Sequence, residues 1–193
     1  MAEKRARWHE QLAAEPVRGL VFVDESGAHT QMTRWRGRAL GGRRLVARIP
    51  QGSYQTSTLI SAIRLEGPCA PWLFEGPLNG EMFLAWVRQG LAPRLQTEDL
   101  VIMDNLATHK VRGVREAIQS RGARLLYLPP YSPDFNPIEP MWSKVKQILR
   151  SHAARTKTDL LLAAKTAFQA ITASDCKGFF FSAKYATSLM ELL

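Results

Sequence analysis

The chain has 193 residues, of which 46% are hydrophobic, so it is long and apolar enough for one α/β domain with its own core. It contains no apolar run that would span a bilayer, which argues against an integral membrane protein. The formal net charge of +9 favours a polyanionic partner such as nucleic acid, because basic surfaces attract phosphate backbones.

The first half of the chain predicts a strand-rich unit. Residues 1–18 are charged and predict a short helical tail or a linker. Residues 19–27 (GLVFVDESG) predict a buried strand that ends in Asp24, and residues 43–50 (RRLVARIP) and 57–67 (STLISAIRLEG) predict two more strands of an antiparallel meander. Apolar residues at helical spacing then predict a helix over residues 79–95.

The second half predicts strands that alternate with helices. An apolar run over residues 100–103 ends in Asp104, and residues 111–122 predict a helix that is closed by a glycine. Residues 123–130 predict another strand, followed by helices over residues 137–150 and 156–172. Strands followed by strand–helix alternation predict an α/β fold, a mixed sheet with helices on both sides.

Two basic runs lack any acidic residue. Solvated surfaces alone would explain one such run, but two in a small domain favour contacts with nucleic-acid phosphates. Trp35, within the first run, is interpreted either as packing in a hairpin or as a residue that stacks on a base. The basic side chains of the two runs are Arg34, Arg36, Arg38, Arg43, Arg44 and Arg48, and Lys144, Lys146, Arg150, Arg155 and Lys157.

Three carboxylates have positions that predict a common site. Asp24 and Asp104 close two apolar strands, and functional groups gather where strands leave a sheet. Glu139 falls in the first turn of a helix that Asn136 caps and that Pro137 begins. Glu139 could instead complete a capping box with Asn136. If the three carboxylates converge, they repel one another and require a cation, and oxygen ligands select Mg²⁺ or Mn²⁺.

Three segments together resemble the catalytic domain of DDE transposases, in particular the bacterial insertion-sequence transposases related to the mariner group. The segments are VFVDESG, VIMDNLATHK and LPPYSPDFNPIEPMWSKVK. The 34 residues between Asp104 and Glu139, positions 105–138, match the spacing of that group. The resemblance implies a ribonuclease H-like fold, with a five-stranded mixed sheet flanked by helices.

The resemblance also implies roles for individual residues. Asp24, Asp104 and Glu139 would bind two Mg²⁺ or Mn²⁺ ions as the catalytic triad. Four further motif residues would support the site: Glu25, Asn105, His109 and Asn136. Eight basic residues would hold DNA: Arg34, Arg36, Arg38, Arg43, Arg44, Lys144, Lys146 and Arg150.

The expected organisation is an N-terminal tail over residues 1–18, a catalytic domain over residues 19–150, and C-terminal helices over residues 151–193 that pack on it. Such transposases usually carry N-terminal helix-turn-helix modules. Residues 1–18 are too few for one, so a separate upstream half is an expected partner. Transposition of this kind implies a homodimer on transposon ends and target DNA, in a bacterial cytoplasmic, nucleoid-associated protein without membrane contact.

The functional expectation is a transposase that cleaves DNA and transfers strands with an Asp-Asp-Glu triad. One alternative is a catalytically silent DNA-binding or assembly fragment of a decayed transposase. Another is a ribonuclease H proper, which would share the fold and the metals but not the YSPDFNPIE segment. An aspartyl phosphatase is disfavoured, because Ser26 and Leu106 stand where that chemistry needs a second aspartate.

Overall fold

The computed structural model describes residues 5–34, 36–46, 48–49 and 51–186. Within these residues one sheet has the order β3-β2-β1-β4-β5. The first three strands in sequence pair antiparallel, whereas β4 runs parallel to β1 and β5 parallel to β4. The sheet is therefore mixed, with β1 at its centre. Its strands are β1 (Leu20–His29), β2 (Thr56–Arg64), β3 (Gly67–Glu75), β4 (Leu100–Met103) and β5 (Arg124–Tyr127).

Helices cover both faces of this sheet. The α-helices that the structure describes are α1 (Trp8–Leu12), α2 (Gly80–Trp86), α3 (Val114–Gln119), α4 (Ile138–His152), α5 (Lys157–Gln169) and α6 (Ala173–Ser182). The α2 helix is capped by Asn79, whose side-chain oxygen accepts a hydrogen bond from the Met82 N–H at 2.9 Å. It continues into a π-helical turn over Val87–Leu91.

The alternation of β1 divides the core into two layers. Val21, Phe22 and Val23 are all fully buried, as expected for a central strand that is covered on both faces. Phe22 packs with side chains of α4, α5 and α6, whereas Val21 and Val23 pack with side chains of α2 and α3. Successive residues of β1 therefore reach different helices, and this alternation continues into the polar residues that follow.

The number of strands is five as predicted, but one was predicted in the wrong place. Residues 43–46, 48 and 49 form no strand, and the other two residues of the predicted run lie outside the described residues. The third strand of the meander is instead β3, which contains Pro68 and Pro71. β3 is an edge strand, where proline is tolerated because one side of the backbone has no partner strand.

Several element boundaries also differ from the sequence-based prediction, and two of them concern the candidate site. Asp24 does not end its strand, because β1 continues to His29 through its pairing with β2. The α4 helix begins at Ile138 and continues to His152. No helix in the described part of the chain is long and apolar enough to cross a membrane.

Candidate active site

The parallel register of β1 and β4 brings the two aspartates together. Phe22 is paired with Ile102, so two residues further along the strands Asp24 lies beside Asp104. β4 ends at Met103, and Asp104 is therefore the first residue beyond this strand. Asp24 shares a face of β1 with Phe22, and its side chain consequently reaches α4. There the Trp142 Nε1–H donates a hydrogen bond to Asp24 Oδ2 at 3.2 Å.

The proline-rich loop, residues 128–137, follows β5 and leads from the sheet to Glu139. The Leu128 N–H donates to the Met103 carbonyl at 2.9 Å, and the Asn105 amide donates to the Leu128 carbonyl at 2.5 Å. These two bonds attach the start of the loop to the end of β4. After a 3₁₀ turn over Pro133–Phe135, α4 begins, and Glu139 is its second residue.

Asn136 holds the start of α4 without a capping box. Its buried side-chain oxygen accepts a hydrogen bond from the Ile138 N–H at 3.4 Å. Its own N–H donates to the Pro133 carbonyl at 3.0 Å, so this donor is already satisfied without Glu139. The Glu139 side chain is exposed and makes no hydrogen bond with the described residues. The geometry therefore disfavours the capping interpretation of Glu139 and leaves its carboxylate available.

One cavity of about 440 Å³ is lined by all three carboxylates. Its walls come from four places: β1, the segment after β4, the loop that precedes α4, and the first turn of α4. The lining residues are Asp24, Asp104, Asn105, Leu106, Leu128, Pro129, Pro130, Tyr131, Ser132, Pro133, Asn136 and Glu139.

His109 connects two acidic residues beside this cavity. Its ring is fully buried, with Nε2 3.0 Å from Glu25 Oε2 and Nδ1 2.7 Å from Asp104 Oδ1. Glu25 is on the opposite face of β1 from Asp24, which explains why it meets His109 rather than α4. The Phe83 ring lies 4.4 Å from the His109 ring, centroid to centroid, and packs against it from α2.

The protonation of these groups follows from burial and charge. Burial raises the pKa of Asp24 to about 8, and the nearby Glu25, Glu139 and Asp104 carboxylates add to the effect. Burial opposes the charged form of His109, but its contacts with Asp104 and Glu25 outweigh it and raise the pKa to about 9. Burial also opposes the charge of Asp104, but His109 and the hydrogen bond from the Leu106 N–H at 3.0 Å lower its pKa.

The donor chemistry of the cavity fits a hard divalent cation. All three acidic side chains offer oxygen ligands. The pKa of Asp24 is raised first by burial and then by the neighbouring carboxylates, and a bound cation would oppose both effects by favouring the charged form. The side-chain positions do not close around one point. Among the described residues, no group of three or more His, Cys, Asp or Glu side chains is arranged so that it could hold a metal ion.

The basic residues form two surfaces rather than a lining of the cavity. The arginines of residues 34–48 are exposed on the long segment between β1 and β2, which contacts α4 where the Arg34 Nη2–H donates to Ser151 Oγ at 2.8 Å. On α4, Lys144 is 2.5 Å from Asp175 and so is already paired, whereas Lys146 and Arg150 make no ion pair with a described residue. Trp35 lies outside the described residues.

The sequence-based prediction missed several residues of the site. Trp142 was not predicted as a site residue, although its position three residues after Glu139 places both on one side of the helix. Tyr131 and Leu106 line the cavity as exposed apolar side chains. Arg5 binds the proline-rich loop, and nothing in the local sequence indicates so distant a contact.

The strand order and the helices on both faces define a ribonuclease H-like fold, as the sequence predicted. The sequence profile of the DDE superfamily endonuclease family matches residues 19–161, so the chain belongs to this family, which confirms the predicted membership.

Solved structures of a mariner-group transposase are similar to this chain. A "Mos1 transposase paired-end complex with left transposon end" has a TM-score of 0.72 at 13% identity, covering 95% of this chain and 57% of that chain. A Mos1 mariner paired-end complex with Mn has a TM-score of 0.67 at 14% identity, covering 95% of this chain and 57% of that chain. The Mos1 mariner transposase catalytic domain has a TM-score of 0.66 at 12% identity, covering 94% of this chain and 86% of that chain.

Identities this low show a shared fold. The chain spans less than two thirds of the length of the first two of these proteins. A search of curated proteins gave no match.

Proposed function

We propose that this chain is a transposase catalytic domain that cleaves DNA strands and transfers them to a target. The observation that carries the proposal is the convergence of Asp24, Asp104 and Glu139 on one cavity, in a chain that belongs to the DDE superfamily endonuclease family. One of the similar structures is a transposase complex with a transposon end, which supports DNA as the substrate class.

Asp24, Asp104 and Glu139 would hold two Mg²⁺ or Mn²⁺ ions, the ions named in complexes of the similar transposase. Such ions, when bound, activate a water or hydroxyl and stabilise the leaving oxygen of a phosphodiester. Trp142 orients the Asp24 carboxylate through its indole N–H. His109 restrains Asp104 and ties it to β1 through Glu25.

Two asparagines support the site from outside the carboxylate triad. Asn105 fastens the proline-rich loop to the end of β4, and Asn136 fixes the start of α4. Both therefore act on the position of Glu139 rather than on the substrate. We propose the division into a tail over residues 1–18, a catalytic unit over residues 19–150, and completing helices over residues 151–193.

DNA would be held chiefly by phosphate contacts. The exposed arginines of residues 34–48, together with Lys146 and Arg150, which make no ion pair with a described residue, would bind the backbone of transposon ends and target without reading sequence. We further propose a homodimer on DNA, an upstream helix-turn-helix half, and a bacterial insertion-sequence protein of the cytoplasm and nucleoid.

The test is nicking of a supercoiled plasmid by the full chain with Mn²⁺. Asp104→Asn retains the size of the side chain but loses its charge, so nicking is expected to fall at least about a hundredfold while plasmid binding persists. Asp159→Asn, at an exposed acid in the first turn of α5, is the matched control and is expected to nick as wild type does. Nicking that survives in Asp104→Asn would overturn the assignment.

A second candidate is a catalytically silent DNA-binding or assembly fragment. The observation that favours it is that no metal-holding group is assembled among the described residues. Salt-dependent plasmid binding by wild type, without nicking in Mg²⁺ or Mn²⁺ even after a helix-turn-helix half is supplied, would support this candidate.

A further inference from the structure

Tyr131 occupies an unusual position on the rim of the cavity. Its side chain lines the cavity and yet the residue is 87% exposed. Its φ of 56° places it in the left-handed region, which is costly for a residue with a large side chain. Such strain persists only where the surroundings impose it, and it concentrates at functional sites.

The surroundings that impose this conformation are visible. Arg5 reaches the loop from outside the family domain: its Nη1–H donates to the Tyr131 carbonyl at 2.8 Å and to Ser132 Oγ at 2.6 Å. Its Nη2 binds the Asp134 carboxylate with contacts of 2.8 and 3.1 Å. Four hydrogen bonds from one guanidinium therefore converge on the segment of residues 131–134.

A second connection fixes the end of the loop. The Trp8 indole N–H donates to the Tyr185 hydroxyl at 2.8 Å, and that hydroxyl donates to the Phe135 carbonyl at 2.6 Å. The Arg5 guanidinium also lies over the Phe135 ring, 4.6 Å from its centroid. The loop thus presents the Tyr131 ring from a backbone that has already lost most of its conformational freedom.

The other walls of the cavity suit a flat, apolar group. Leu106, which follows Asp104 and Asn105, is 47% exposed and lines the same cavity. Pro129 and Pro130 add apolar surface without N–H donors. The carboxylates lie in the same cavity, so a nucleotide whose phosphate is near them would bring its base close to this apolar rim.

We propose that Tyr131 is a stacking platform for an unpaired nucleobase of the DNA strand whose phosphate lies at the three carboxylates. This inference rests on the proposed function and adds a base-binding subsite to it. Aromatic rings hold bases of any sequence, because every base has a π-face. The fixed loop makes the contact efficient, because little further ordering is needed when the base binds.

The experiment compares two DNA duplexes that differ in one base. Both carry a single extrahelical nucleotide, which is adenosine in one and an abasic residue in the other. Affinities of the full chain are measured with Ca²⁺ in place of Mg²⁺, for wild type, Tyr131→Phe and Tyr131→Ala. Phe181→Ala removes an exposed aromatic residue of α6 that does not line the cavity and serves as the matched control.

Wild type, Tyr131→Phe and Phe181→Ala are expected to prefer the duplex with the base by about tenfold, and Tyr131→Ala is expected to lose this preference. Equal affinities of wild type for the two duplexes, or an unchanged preference in Tyr131→Ala, would overturn the inference. Plasmid nicking is measured separately. Nicking without the preference refutes the subsite alone, whereas the preference without nicking refutes only the proposed catalysis.

Discussion

At the scale of single residues, the burial of His109 between two acidic residues makes the stability of the fold depend on pH. A fully buried imidazole between Glu25 and Asp104 is stabilised in its charged form, which raises its pKa to about 9. The folded state therefore binds a proton more tightly than the unfolded state, where the pKa of histidine is about 6.5. The resulting stabilisation is fully present below about pH 6.5 and is lost as the pH rises through about 9.

We expect His109→Gln to be destabilising by an amount that depends on pH. The difference in free energy of unfolding between wild type and variant should shrink by as much as about 3 kcal/mol between pH 6 and pH 9.5. Urea unfolding at a series of pH values, with EDTA present, measures it.

His29 provides a control, because its pKa is shifted in the opposite direction to that of His109. Burial, and then Arg150, lower the pKa of His29, so its neutral form is favoured in the folded state. The stability of wild type relative to His29→Gln should therefore rise as the pH increases toward about 6.5. If the two histidine variants showed the same pH trend, the assignment of charge to His109 would be wrong.

The residue types of the site could be predicted from the sequence, but their connections could not. Asp24, Asp104 and Glu139 follow from apolar runs and helix spacing, and the structure gathers all three around one cavity. The contact of Glu25 with His109 depends on the strand alternation at Glu25 and on a 3₁₀ turn after β4. Pairing across 84 positions of the chain leaves no local signal in the sequence.

At the scale of elements, the proline-rich loop is the part of the site that depends most on distant segments. Its prolines restrict the backbone, but they do not specify which way the loop lies. Arg5 and Tyr185, from opposite ends of the chain, supply that information through hydrogen bonds to the loop. The same limit explains why β3 was not predicted. Its two prolines break the strand pattern in the sequence, and the strand forms through its pairing with β2.

We expect Arg5→Ala to loosen the loop more than it destabilises the protein. Only about 0–1 kcal/mol of global stability should be lost, because Arg5 and Asp134 are both partly exposed. Amide hydrogen exchange over residues 131–139 should nevertheless accelerate, and plasmid nicking should fall, because the start of α4 is no longer held.

Arg124→Ala is the matched control for this experiment. It removes a bidentate surface ion pair with Glu15, which does not line the cavity. Its expected effect is a comparable loss of stability without faster exchange over residues 131–139. Equal exchange rates in Arg5→Ala and wild type would show that the loop is held without Arg5.

At the scale of the whole molecule, the positively charged side chains differ in whether the fold already pairs them with an acidic residue. Some cations are already paired within the fold, such as Lys144 with Asp175 and Lys157 with Glu75. The arginines of residues 36–44 are exposed and make no ion pair with any described residue. The exposed run therefore has the greater capacity to release counterions from DNA.

Replacing four of these arginines with alanine should reduce the salt dependence of DNA binding. Each phosphate contact contributes about −0.9 to the slope of log K against log salt, so loss of four contacts should reduce the magnitude of the slope by about 3.6. Binding to a plain duplex, measured at several salt concentrations, gives this slope directly. The substituted residues are Arg36, Arg38, Arg43 and Arg44.

A second variant with the same net charge separates local contacts from overall attraction. Replacing four exposed arginines near α2 and α3 also lowers the formal charge from +9 to +5, but it leaves the run between β1 and β2 intact. If the run binds the phosphates, this control keeps the wild-type slope and changes mainly the association rate, because distant charge acts through steering. Equal slopes in both variants would mean that net charge alone drives binding and that the run between β1 and β2 is no DNA surface. The control substitutions are at Arg88, Arg112, Arg115 and Arg121.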